Sequence, residues 1–186
     1  MKSCVRTITI LGMCLCLLVV ASCVKDVDFD QTEDIVIAPK VDLDLIFFSL
    51  NTSNFVGAAT GNPIAVVRDT TRLEFLDDTF VQENLKEIDF LFRYDNSFSQ
   101  SFVNRAVFLD EADEVQYEIE FDVTPSINGS TETTTFTQTV AETDLDAIKA
   151  SIKLLIELTL EPNGDPIDGS LRHQSKALYS LEFEDF

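Results

Sequence analysis

The 186-residue chain has no tryptophan, a single histidine and, beyond residue 23, neither cysteine nor methionine. Each gap removes a class of chemistry. Without thiols after residue 23, the body of the chain has no disulfide, no thiolate nucleophile and no cysteine-ligated metal. One imidazole, His173, falls short of a histidine-based metal site. No Gly-x-Ser-x-Gly elbow accompanies it to suggest a serine triad. His173 lies in a polar stretch, 170–175, beside Arg172, where a solvent-facing loop histidine is expected. Three tyrosines and no tryptophan leave little from which to build a sugar-stacking platform. Basic residues are also scarce, 13 against 33 acids, for a formal charge of −20. Such a surface repels phosphates, so no nucleic-acid partner is expected.

What is abundant is phenylalanine, fifteen in all, in a chain that is 45% hydrophobic. That composition builds a core rather than a disordered chain. The longest apolar run, Ile8 to Ala21, is shorter than the about 20 residues a spanning helix needs. Lys2 and Arg6 precede it, and Val20-Ala21-Ser22-Cys23 ends it. A basic start, a short apolar run and small residues before the cut describe an export signal.

These residues resemble a bacterial lipoprotein signal peptide with its lipobox. The resemblance implies cleavage after residue 22, a covalent lipid on Cys23, and a membrane partner reached through that anchor. Two or more acyl chains hold a protein durably, at about 0.8 kcal/mol per buried CH₂. Behind Cys23, Lys25 is followed by Asp26, Asp28 and Asp30, interrupted by Val27 and Phe29. This is similar to the surface-export signal of Bacteroidetes lipoproteins, which implies a cell-envelope location, lipid-anchored in the outer membrane and exposed at the surface. The organisation expected is a signal peptide over 1–22, a lipidated N-terminus and acidic tether over 23–40, and one domain over 41–186. Fully extended, the tether reaches roughly 55 Å. Losing Lys2 and Arg6 with the signal makes the remaining chain two charges more negative.

The body alternates with period two. Val41, Leu43, Leu45 and Phe47 alternate with Asp42 and Asp44. Ile88, Phe90, Phe92 and Tyr94 share one face of a second strand. Val115, Tyr117, Ile119, Phe121 and Val123 share one face of another, with Gln116, Glu118, Glu120 and Asp122 opposite. The stretch 102–109 is apolar on nearly both faces, as a central strand would be, and threonine-rich 133–140 suits an exposed one. Strands are also expected over 152–160 and 177–183. Asn128-Gly129 marks a hairpin. Two short helices are expected, one capped by Asp77 or Asp78 and one by Thr143. Seven or more such strands predict an all-β fold, a β-sandwich of immunoglobulin-like kind with one or two short bridging helices, or else a half-open barrel.

No cofactor beyond the lipid on Cys23 is expected; calcium is the best remaining candidate, since it takes several hard oxygens from a flexible loop. Asn163, Asp165 and Asp168 supply three such donors within six residues, and Asp110 to Glu114 form a second acidic loop. Asp26, Asp28 and Asp30 open like an EF-hand loop, but Gln31 and Ile37 stand where its glycine and closing glutamate belong. Asp69-Thr70-Thr71 matches the pattern used for O-glycosylation in Bacteroidetes, which would place a sugar on Thr70. The function expected is a non-enzymatic binding or structural module. An accessory subunit of an outer-membrane complex is the first alternative. A hydrolase using carboxylates such as Glu118 and Glu120 is the second.

Overall fold

The period-two segments pair into two antiparallel four-stranded sheets in a computed structural model that describes residues 37–57, 62 and 64–183. The signal segment, Cys23 and the acidic tether up to residue 36 lie outside the described residues. The strands are β1 (Lys40–Asn51), β2 (Val66–Arg72), β3 (Leu85–Asn96), β4 (Ser101–Leu109), β5 (Val115–Val123), β6 (Glu132–Thr139), β7 (Lys153–Glu161) and β8 (Ser170–Leu181). One sheet has the order β1-β8-β3-β6, and the other β2-β7-β4-β5.

The expected β-sandwich is therefore present. Its connectivity is that of an eight-stranded jelly roll, in which the first and last strands pair, rather than the seven-stranded immunoglobulin order. Sequence alternation reports which face of a strand is buried, not which strand it pairs with.

The core lies between the sheets. Ile88, Phe90, Phe92 and Tyr94 of β3 are fully buried, as their alternation predicts, and so are Phe102 and Phe108 of β4. The Phe90 and Phe108 rings meet across the sandwich at 4.6 Å. At one lateral edge, Phe121 of β5 stacks on Phe136 of β6 at 4.3 Å and 7°. Burying each such ring is worth about 1.5–3 kcal/mol.

Asn128 and Gly129 do adopt left-handed conformations, with φ of 54° and 76°, in a tight turn closed from Ser130 N to Ile127 O at 3.1 Å. The flanking strands nevertheless belong to opposite sheets: β5 pairs with β4, and β6 with β3. The turn is thus part of a crossover between sheets, not the expected hairpin.

In β1 the expected face changes partway. Val41, Leu43 and Leu45 point inward, but the register with β8 shifts between Asp44 and Phe47. Ile46 is consequently buried and Phe47 is 61% exposed, with the Arg172 guanidinium 5.2 Å from its ring centre. A β8 side chain holds the bulge: Ser175 Oγ accepts from Ile46 N at 3.1 Å and donates to Ile46 O at 3.2 Å.

Two short α-helices bridge the sheets, α1 (Thr79–Asn84) and α2 (Leu145–Lys149). Asp78 caps α1 as expected, accepting from Phe80 N at 2.9 Å and Val81 N at 3.2 Å. Thr143 does not cap α2. It lies inside a 3-10 turn, Glu142–Asp144, and Asp144 takes the cap position without a side-chain bond.

Candidate functional site

The two lateral edges of the sandwich differ. The β5/β6 edge is closed by the Phe121–Phe136 stack, whereas the β1/β2 edge is open over part of its length. There a groove of ≈ 950 Å³ runs between the first half of β1 and the connection from β2 to α1. Val41, Leu43 and Leu45 form one wall, and Leu73, Phe75 and Val81 form the other. Tyr179 and Leu181 of β8 make the floor, with the Phe75 and Tyr179 rings 4.8 Å apart. Burial pushes the Tyr179 hydroxyl above the ordinary tyrosine range. Phe80, 58% exposed, stacks at 4.9 Å on Phe183 at the groove's end.

The rim is polar and mostly acidic, with Asp44 on the β1 side and Glu74 and Asp78 on the other. Arg72 also lines the groove, but its guanidinium is 2.6 Å from Asp77 and 3.8 Å from Glu111. Asp77, by hydrogen bond and charge, holds Arg72 above the usual arginine range. A smaller cavity of ≈ 140 Å³ continues along the same edge, between Phe48 and Leu50 of β1 and Val67 to Asp69 of β2. An apolar concavity with a few polar groups at its mouth is the usual form of a binding site.

The chain enters the sandwich beside this groove. Ile37 bridges Phe183, with Phe183 N to Ile37 O at 2.9 Å, and Pro39 lines the groove. Ile37 and Phe183 continue the β1–β8 register past Lys40↔Ser180, at the groove's end.

The residues singled out in the sequence fall elsewhere. His173 is not in a surface loop. It is an inward residue of β8, 0% exposed, packed between Phe48 at 4.7 Å and Tyr94 at 4.4 Å. The polar run 170–175 alternates Arg172 and Gln174 outward with His173 and Ser175 inward, so it conceals a strand with unusual core residues. Burial lowers the His173 pKa to about 3. Opposite it, Tyr94 donates to Asn104 Oδ1 at 2.6 Å, and burial raises the Tyr94 pKa well above its usual value.

In the calcium loop, Asn163 Oδ1 accepts from Gln100 Nε2 and Asp165 N, both at 3.0 Å. Asp165 Oδ2 accepts from Asn163 Nδ2 at 3.1 Å, while Asp168 Oδ1 accepts from Thr52 Oγ1 at 3.3 Å. Asn163 and Asp165 thus bond to each other, while Asp168 bonds to Thr52. In the second acidic loop, Asp110 Oδ1 accepts from Ala112 N and Glu114 N at 2.8 and 2.9 Å, which makes it a turn cap. Among the described residues, no group of three or more His, Cys, Asp or Glu is arranged to hold a metal ion.

Glu118, Glu120 and Asp122 lie exposed on the outer face of β5, and Glu118 pairs with Arg105. They line neither the groove nor the smaller cavity. Thr70 is exposed on the edge strand β2. No described helix is long and apolar enough to cross a membrane. The groove was not foreseen, because β2 has no apolar alternation to announce it and Leu73 to Phe75 lie outside any regular element.

No protein-family model matches the chain, and no curated protein matches it. Several solved structures show distant likeness. A protein of Parabacteroides distasonis described as secreted is 13% identical over 61% of this chain and 37% of that one, with a TM-score of 0.43. The VP2 subviral particle of infectious bursal disease virus is 9% identical over 80% of this chain and 33% of that one, at 0.45. Desmodium yellow mottle tymovirus is 11% identical over 82% and 90%, at 0.34. The chain spans about a third of the length of the first two. These likenesses carry no argument; the fold rests on the strand order itself.

Proposed function

We propose that this chain is a non-enzymatic binding module, held at the outer face of the bacterial outer membrane by lipid on Cys23, whose recognition surface is the groove between β1 and the β2–α1 connection. The observation that carries the reading is the groove itself: an apolar concavity of ≈ 950 Å³ at the open β1/β2 edge of the sandwich. The anchoring half rests on the sequence alone, on the basic start, the short apolar run and Val20-Ala21-Ser22-Cys23 that ends it. A groove beside a long edge strand also favours the narrower reading of an accessory subunit in an outer-membrane complex, since unpaired edges and apolar patches are where other chains dock.

Two experiments test the two halves. Cys23→Ser is expected to abolish lipid labelling and to move the protein from membranes to the soluble fraction; retention in membranes refutes the anchor. A photo-crosslinking residue placed at Leu43 is expected to capture an envelope component in intact cells. The same residue at Thr137, exposed on β6 at the opposite edge of the sheet, is expected to capture none. Equal capture from both positions, or none from either, refutes the groove.

A further inference from the structure

Resting on the groove as recognition surface, two further features specify its occupant: a free strand edge and an acidic rim. We propose that the groove takes an extended segment of another protein in which apolar residues alternate with lysine or arginine, added as a strand along the Lys40–Leu45 half of β1.

The edge comes first. β1 ends its sheet, so among the described residues one of its sides has no strand partner. From Lys40↔Ser180 to Asp44↔Lys176 its register is unbroken, and the bulge begins only after Asp44. This half of β1 is regular enough to template another strand, and main-chain bonds of that kind give affinity without a fixed sequence. Alternation then dictates the ligand's pattern. Every second side chain of the added strand would enter the groove between Leu43 and Phe75. The remaining side chains would stand beside Asp42 and Asp44 on the outer face.

Charge supplies the rest. Asp44 is exposed and has no ion-pair partner among the described residues, and Glu74 and Asp78 line the far rim. The nearby cations are Lys176, engaged by Asp42 at 2.6 Å, Arg72, engaged by Asp77, and exposed Lys40 at the strand's start. The acids also act against the wrong partner. A second copy of β1 laid on this edge would set Asp42 and Asp44 against their like, which destabilises a strand pair. A basic strand meets complementary charge at the same positions.

The test titrates the full chain with a fluorescein-labelled ten-residue peptide alternating valine or leucine with lysine, read by anisotropy at low salt. Saturable binding is expected, weakening as salt rises. Replacing the lysines by glutamate should weaken binding at least tenfold. N-methylating every second peptide bond should do the same in one of its two phases, because it removes the donors facing β1. Asp44→Lys should weaken the lysine peptide several-fold with the melting temperature unchanged. Equal affinity of the glutamate peptide overturns the charge argument, and equal affinity of both N-methylated peptides overturns strand addition. If no peptide binds up to millimolar concentration while the Leu43 probe still crosslinks in cells, the strand occupant is refuted and the groove reading stands. If neither binds nor crosslinks, both are refuted.

Discussion

The ring of His173 lies 4.4 Å from that of Tyr94, centre to centre, and neither imidazole nitrogen has a hydrogen-bond partner among the described residues. The jelly roll thus holds its one histidine neutral between its sheets. The sign of the consequence follows from proton counting. Above pH 6.5 the imidazole is neutral in the folded and unfolded chains alike, and its full contribution to stability is present. Between 6.5 and about 3 the unfolded chain binds a proton that the folded chain refuses, so stability falls as pH falls through that window. The loss reaches as much as about 5 kcal/mol at the bottom of the window. Chemical denaturation from pH 7 to 4 should show this slope, and His173→Leu should flatten it. An unchanged slope in that variant would place the titration elsewhere.

Acid acts separately on Asp95. Its carboxyl is held below the usual range, first by the Thr133 hydroxyl and then by Arg93. That contribution is present above the ordinary aspartate range and is lost only below it, so the two groups are separable by pH.

Ser175→Ala removes both hydrogen bonds to Ile46 and leaves a buried backbone amide and carbonyl without their partner. The expected cost is about 1–3 kcal/mol by denaturant titration. Because this bulge turns Phe47 outward, the variant should also change the exposure of position 47, read by the reactivity of a cysteine placed there.

Gly169 has φ of 156°, and a Cβ there would come within 2.8 Å of Phe98 N and 2.9 Å of Phe98 Cα. Backbone cannot yield as a side chain can. Gly169→Ala should therefore cost about 2 kcal/mol or more, while Gly129→Ala, with open space around its Cβ, should cost less. Equal costs would contradict the close approach at Phe98.

Asp78→Ala removes the cap of α1, at a cost of about 1 kcal/mol. Since α1 carries Phe80 and Val81 into the groove, this variant should lower groove affinity more than a destabilisation of equal size made at Gly129. Parallel titrations on melts of equal temperature check the difference.

How legible was this in the sequence? β3 was readable residue by residue from Ile88 to Tyr94, because strict alternation admits one buried face. β5 followed its alternation from Tyr117 on, but Val115, beside the register shift at Leu109, is 53% exposed rather than inward. β2 was not readable, because Arg68, Asp69, Thr70 and Thr71 form an edge strand with little apolar surface to show. The first half of β8 hid for a related reason: its inward residues include His173 and Ser175, polar types that local pattern assigns to solvent. Phe47 misled because a bulge is set by a partner strand distant in sequence, here through Ser175. The groove was the least legible feature. It arises from the gap between two sheet edges, and no single segment encodes such a gap.

Methyl-resolved NMR tests the groove most directly. Titrating the full chain with a small neutral apolar probe should shift the methyl signals of Val41, Leu43, Leu45, Leu73 and Leu181, and leave those of Leu91 and Val107 in place. Shifts spread evenly over both sets, or absent from the groove methyls at saturating probe, would contradict a binding site at the β1/β2 edge.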